Sequence, residues 1–253
     1  MLALDSVHVR RYAGWSAYLS AGFTIIGTVF LFLFYALEVP RATATSGSAS
    51  YVWGTLNDLA VVFQLLFMLP LTMALQQLII PRHQSLSWVA LALGVVGILT
   101  AAIAQILLIA RVISFEVNLP LGVAALGLIG AWMVVVNHLG RAGGILPARL
   151  AWLGEIMGAV FVLMGGLAPL LAMISSFGAF VQQHPVIIGA VIALAVPGFL
   201  AYFVGLPVWL VGLGRRLLTT TSAPERGKRQ LVQAERLVPG DEDMQHLALR
   251  NES

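Results

Sequence analysis

Charge is nearly absent from the long middle of this chain. Between residues 12 and 214 the charged side chains are Arg41, Arg82, Arg111, Arg141, Arg149, Glu38, Asp58, Glu116 and Glu155; the others crowd into the two ends. A soluble domain keeps about a quarter of its residues charged to hold its surface in water. Here the share is 10%, against 59% hydrophobic residues and a mean hydropathy of +0.93. That pattern excludes a soluble enzyme and a disordered chain, and it places the middle of the sequence in a bilayer. Every backbone polar group there must bond within its own segment, so the expected fold is all-α, a polytopic membrane bundle.

Six stretches reach the roughly 20 apolar residues that a helix needs to cross the hydrocarbon. They run from about Gly14 to Leu37, Leu59 to Ile80 (entered as early as Tyr51), Leu86 to Ile113, Pro120 to Val136, Leu150 to Ile174 and Pro185 to Leu213. Pro120 and Pro185 fall where a helix starts, a position at which the missing N–H costs nothing, and Pro147 just precedes the fifth span. Residues 1–13 form a polar N-terminal segment, residues 14–214 the six-helix transmembrane domain, and residues 215–253 a charged tail expected to be partly disordered. The first apolar run is longer than a secretory signal core, so it reads as a retained helix.

Basic residues set the orientation. With the N-terminus in the cytoplasm, Arg10, Arg11, Arg82, Arg141, Arg149 and all the basic residues of the tail lie inside, while Arg41 and Arg111 lie outside. Both termini are therefore expected in the cytoplasm, and the protein in the inner (plasma) membrane of the cell. Trp53 is expected at the outer interface and Trp15, Trp88, Trp152 and Trp209 at the inner one. The net charge of +3 then reads as an orientation signal, with no nucleic-acid partner. Arg215, Arg216, Arg226, Lys228 and Arg229 cluster after the last span, where they anchor it or hold anionic lipid headgroups at the cytoplasmic face. The chain has no Cys, which excludes disulfides, iron–sulfur clusters and thiolate zinc sites.

Polar groups at membrane depth are the candidates for function, because burying them is expensive. Asp58 opens the second span behind Asn57, and Arg111 closes the third on the same side. An Asp58–Arg111 pair supported by Asn57 is expected, either as an interfacial structural pair or as a proton or ion site. Glu155 lies about 12 Å along its helix from Pro147, with Arg141, Arg149 and His138 as partners in reach. It reads either as a paired structural acid or as a proton or substrate site. Gln64 and Gln105 lie deeper and call for hydrogen bonds between helices.

Other chemistries find no residues to carry them. The histidines fall in tails, loops or helix ends, which argues against a transmembrane bis-histidine haem. The sole lysine, Lys228, is in the tail, so an intramembrane Schiff base is excluded. No zinc-protease motif or nucleophile elbow is present. No catalytic residue, cofactor or metal is assigned. Gly154 with Gly158, and Gly198, Gly205 and Gly212 at seven-residue spacing, mark close helix contacts, within the bundle or at a homodimer seam. Pro197 and Pro207 make the last helix the candidate hinge.

Four segments carry a family likeness: Arg11-Tyr12-Ala13-Gly14, Trp53-Gly54-Thr55-Leu56-Asn57-Asp58, Gly94-Val95-Val96-Gly97, and Leu146-Pro147-Ala148-Arg149-Leu150-Ala151-Trp152-Leu153-Gly154. Their order resembles uncharacterised multi-pass integral membrane proteins of bacteria, the families described only as domains of unknown function. The resemblance implies a bacterial six-helix membrane protein and brings no mechanism. Glu155 stands where the resembling pattern has an apolar or small residue. The leading expectation is a non-enzymatic protein with structural, scaffold or sensory duties, with or without a homodimeric or other membrane partner. The alternative is a small transporter or channel-like protein using Glu155 and Asp58.

Overall fold

A computed structural model describes residues 6–40, 51–79, 84–169, 193 and 196–219. The regular structure of these residues is all helical, and six helices are long and apolar enough to cross a membrane. Helix α1 covers Ser6–Leu33 and continues through a widened turn, Phe34–Glu38, in which the Val39 N–H reaches back to the Phe34 carbonyl. Helices α2 (Val52–Ile79), α3 (Gln84–Ile109), α4 (Phe115–Ala142) and α5 (Ala148–Gly165) follow. Helix α6 spans Val196–Thr219 and holds a second widened turn at Ala201–Gly205. The far end of the expected fifth span, the expected start at Pro185, and Arg226, Lys228 and Arg229 lie outside the described residues.

Helix α3 ends at Ile109 and α5 at Gly165, short of the expected Ile113 and Ile174, and two helix starts differ from expectation for local reasons. Helix α2 starts at Val52, so Asn57 and Asp58 sit in its second turn and not at its mouth. Helix α4 starts at Phe115, which puts Pro120 inside it. There Ser114 is the extended N-cap residue, and Glu116 in the first turn complements the positive end of the helix dipole. The Ser114 hydroxyl donates to that carboxylate at 2.8 Å.

Helices adjacent in sequence pack side by side, and α6 returns to α1. The return is a glycine crossing: a Cβ on Gly214 would lie 2.9 Å from the Gly14 carbonyl oxygen. Helices α4 and α5 approach through Gly127 against Gly165 and Gly130 against Gly158, backbone to backbone. Gly198, Gly205 and Gly212 receive Met164, Met157 and Leu150 of α5, so a seven-residue series of hollows meets a seven-residue series of knobs. Both glycine series thus meet neighbours within the chain.

The side-chain distribution is that of a lipid-immersed body. Phe32, Ile103, Leu163 and Val208 are exposed, while Ser20, Thr24, Gln64, Thr72, Asn118 and Asn137 are buried. Lipid tails reward no burial of apolar groups, so close packing and internal hydrogen bonds must hold such helices together. Trp15, Trp88 and Trp152 are exposed, but Trp209, expected at the inner interface, is fully buried. Its ring packs edge-on against Trp132 at 6.2 Å, and its N–H has a partner inside the bundle, which removes the need for a wet interface.

Candidate functional site

The polar groups gather at three levels. At the end of the bundle where α1 meets α2 and α3 meets α4, a cleft of about 430 Å³ is lined by Asn57, Asp58 and Arg111, among others. Asp58 Oδ1 accepts from Gln105 Nε2 at 2.6 Å and from Asn57 Nδ2 at 3.3 Å. Asn118 Nδ2 donates to Gln105 Oε1 at 3.2 Å, so a polar chain links α2, α3 and α4. The expected Asp58–Arg111 ion pair does not form; among the described residues, the carboxylate with ion-pair partners is that of Glu155. The reason is the path of the backbone. Asp58 points across to Gln105 on α3, whereas Arg111 lies beyond the last turn of α3, at φ 57°.

Arg111 completes a helix cap of defined geometry. The Val112 N–H bonds to the Leu107 carbonyl and the Arg111 N–H to the Leu108 carbonyl, both at 2.9 Å. This double bond pattern ends a helix with one left-handed residue, a place suited to glycine. The α4–α5 turn repeats it with Gly144, at φ 68°: Ile145 bonds to Gly140 and Gly144 to Arg141.

Deeper in, a cavity of about 120 Å³ lies among α2, α3, α4, α5 and α6, with Gln64, Gln105, Phe161 and Tyr202 in its wall. Gln64 is about 18 Å along α2 from its start. The Tyr202 hydroxyl donates to Gln64 Oε1 at 2.9 Å, and the Ser20 hydroxyl to the Gln64 carbonyl at 3.1 Å. Gln64 Nε2 is buried and has no hydrogen-bond partner among the described residues. Gln105 belongs to both levels, bonding Asp58 above and lining the cavity below.

The opposite end holds Glu155. Arg141 grips it with two hydrogen bonds, Nε to Oε1 at 3.1 Å and Nη2 to Oε2 at 3.3 Å, and His138 Nδ1 lies 3.8 Å from Oε1. The guanidinium carbon sits 4.4 Å from the centre of the Trp152 ring. A bidentate, ring-stacked arginine neutralises the acid and fixes it in place. At the same end, Arg10 and Arg216 line a pocket of about 210 Å³ that also touches the α4–α5 turn. Arg10 Nε is buried and has no hydrogen-bond partner among the described residues, while Arg215 and Arg216 are exposed residues.

Three contributors escaped the sequence reading. Glu38, on the widened turn of α1, accepts from the backbone N–H groups of Trp53 at 3.0 Å and Gly54 at 3.3 Å, and so caps α2 from another helix. Its rarity as an acid in the charge-poor middle was the available signal. Asn118 and Tyr202 had none, because their partners are set by how α4 and α6 lie against α2 and α3. Among the described residues, no group of three or more His, Asp and Glu could hold a metal ion. Comparisons with protein-family models, curated proteins and solved structures give no match to this chain.

Proposed function

We propose that this chain is a non-enzymatic protein of a bacterial inner membrane, with both termini in the cytoplasm, that binds a small charged ligand in an outward-facing cleft in a sensory capacity. One observation carries the reading: Asp58 and Arg111 line the same cleft without neutralising each other. Charges left uncompensated at the edge of a bilayer are expensive and point to a ligand. The orientation rests on the excess of arginines at the Glu155 end and in the tail. The pocket between Arg10 and Arg216 supports anionic lipid headgroups as partners on the cytoplasmic side.

The absence of Cys makes the test direct. Thr55 lines the cleft, so Thr55→Cys should react with a membrane-impermeant maleimide in intact cells, and a reporter fused after Ser222 should behave as cytoplasmic. Labelling that requires permeabilised cells would overturn the reading.

A second reading, transport, is favoured by the cavity lined by Gln64 and Gln105 beneath the Asp58–Gln105 bond. With Glu155 held by Arg141, Asp58 is the one of these two acids left for such a path. Proteoliposomes loaded with a pH-sensitive dye distinguish the two readings. Transport of protons predicts dye acidification that Asp58→Asn abolishes, whereas a binding protein gives the same trace as empty liposomes.

A further inference from the structure

Resting on the outward-facing cleft, we propose its ligand class: a zwitterion that presents a primary ammonium and an oxyanion. The argument begins with Arg111. It occupies the left-handed position of its helix cap at φ 57°, where a Cβ crowds the following carbonyl. The same chain builds the same cap with Gly144 at φ 68°. The turn itself therefore has no use for an arginine, and the residue is accounted for by its side chain. That side chain is exposed and lines the cleft, with no hydrogen bond or ion pair to any described residue. Strain of this kind concentrates at ligand-binding positions.

Asp58 supplies the opposite charge. Its Oδ1 is held by Gln105 and Asn57, which fixes the carboxylate in one orientation. Oδ2 accepts no hydrogen bond from the described residues and is the atom left for a ligand.

The two charges select by exclusion as well as attraction. A simple anion that reaches Arg111 meets the Asp58 carboxylate, and a simple cation at Asp58 meets the guanidinium. A zwitterion satisfies both. The lining also includes Phe34, Tyr35, Tyr51 and Phe115, and aromatic side chains attract an ammonium group and pack against apolar ones. The same chemistry is found in an aminophospholipid headgroup and in a free amino acid or phosphoethanolamine.

The test uses the full chain, delipidated in detergent. Native mass spectrometry compares retention of phosphatidylethanolamine with that of phosphatidylglycerol, which lacks the ammonium. Thermal unfolding is followed in parallel with free phosphoethanolamine and with glycine. Preferential retention of phosphatidylethanolamine assigns the site to lipid, and a raised melting temperature with a free zwitterion assigns it to a solute; either result supports the proposal. Asp58→Asn and Arg111→Gly should each weaken binding at least tenfold. Arg111→Gly should also melt higher than the parent without ligand, because the cap is relieved, and this separates lost binding from lost folding. Equal retention of the two lipids with no shift by either free zwitterion would overturn the ligand class. So would variants that bind like the parent. Thr55→Cys labelling from outside, combined with either of those results, would leave the outward cleft standing and remove the zwitterion alone.

Discussion

The indole N–H of Trp209 on α6 donates to Oδ1 of Asn137 on α4 at 3.0 Å, and Asn137 Nδ2 donates to the Met133 carbonyl at 2.8 Å. Both residues are 0% exposed. Gly154 of α5 faces the same amide so closely that a Cβ there would collide with it. One polar side chain thus fixes three helices. Trp209→Phe strands the Asn137 oxygen and is expected to destabilise the bundle by about 1–3 kcal/mol. The change is read as a lower melting temperature in detergent, and an unaltered melting curve would contradict the role given to this bond.

The glycines of α4 and α5 permit contact that no side chain allows. A Cβ on Gly130 would lie 2.6 Å from the Gly158 carbonyl oxygen and 2.6 Å from Phe161 Cβ. Neither neighbour is the end of a flexible chain, so Gly130→Ala must push the helices apart. A loss of about 1–3 kcal/mol is expected from overpacking. Gly22 on α1 has nothing within 4 Å of its Cβ position. There alanine meets no obstacle, and Gly22→Ala should be neutral or gain up to about 1 kcal/mol from helix propensity. Melting of the two variants side by side checks the contrast.

Glu38 caps α2 by accepting the Trp53 and Gly54 N–H groups. A carboxylate at that end also complements the helix dipole. Glu38→Gln keeps an acceptor and loses the charge, while Glu38→Ala loses both. The alanine variant is expected to cost about 1–2 kcal/mol, and the glutamine variant about half as much. Hydrogen exchange at the Trp53 and Gly54 amides should rise in the same order. Equal protection in the parent and the alanine variant would remove Glu38 from this role.

Glu155 and Arg141 form a bidentate pair, with the glutamate side chain 13% exposed and the arginine 31%. Removing one partner leaves a half-buried charge, whereas removing both does not. The losses caused by Arg141→Leu and Glu155→Leu singly should sum to more than the loss in the double variant. A double-mutant cycle measured by thermal melting reads the difference. Additive losses would show that the pair is not a unit.

The sequence made the membrane character plain because low charge and apolar runs are properties of composition and length, independent of any contact. It also singled out Asp58, Arg111 and Glu155, since an ionisable group stands out in such a chain wherever it lies. It could not pair them. Asp58 meets Gln105, 47 positions away, and Tyr202 meets Gln64, 138 positions away. Those contacts depend on the rotation of each helix about its axis, and the helices are apolar almost all round, so periodicity carries little information on which face turns inward. Trp209 shows the same limit: its place near a span end predicts an interface, and only the return of α6 onto α4 and α5 buries it. Arg111 is the clearest case. The chain itself supplies an arginine near the end of an apolar run, but the tertiary structure decides that it closes a helix in a left-handed turn, apart from the carboxylate it was expected to neutralise.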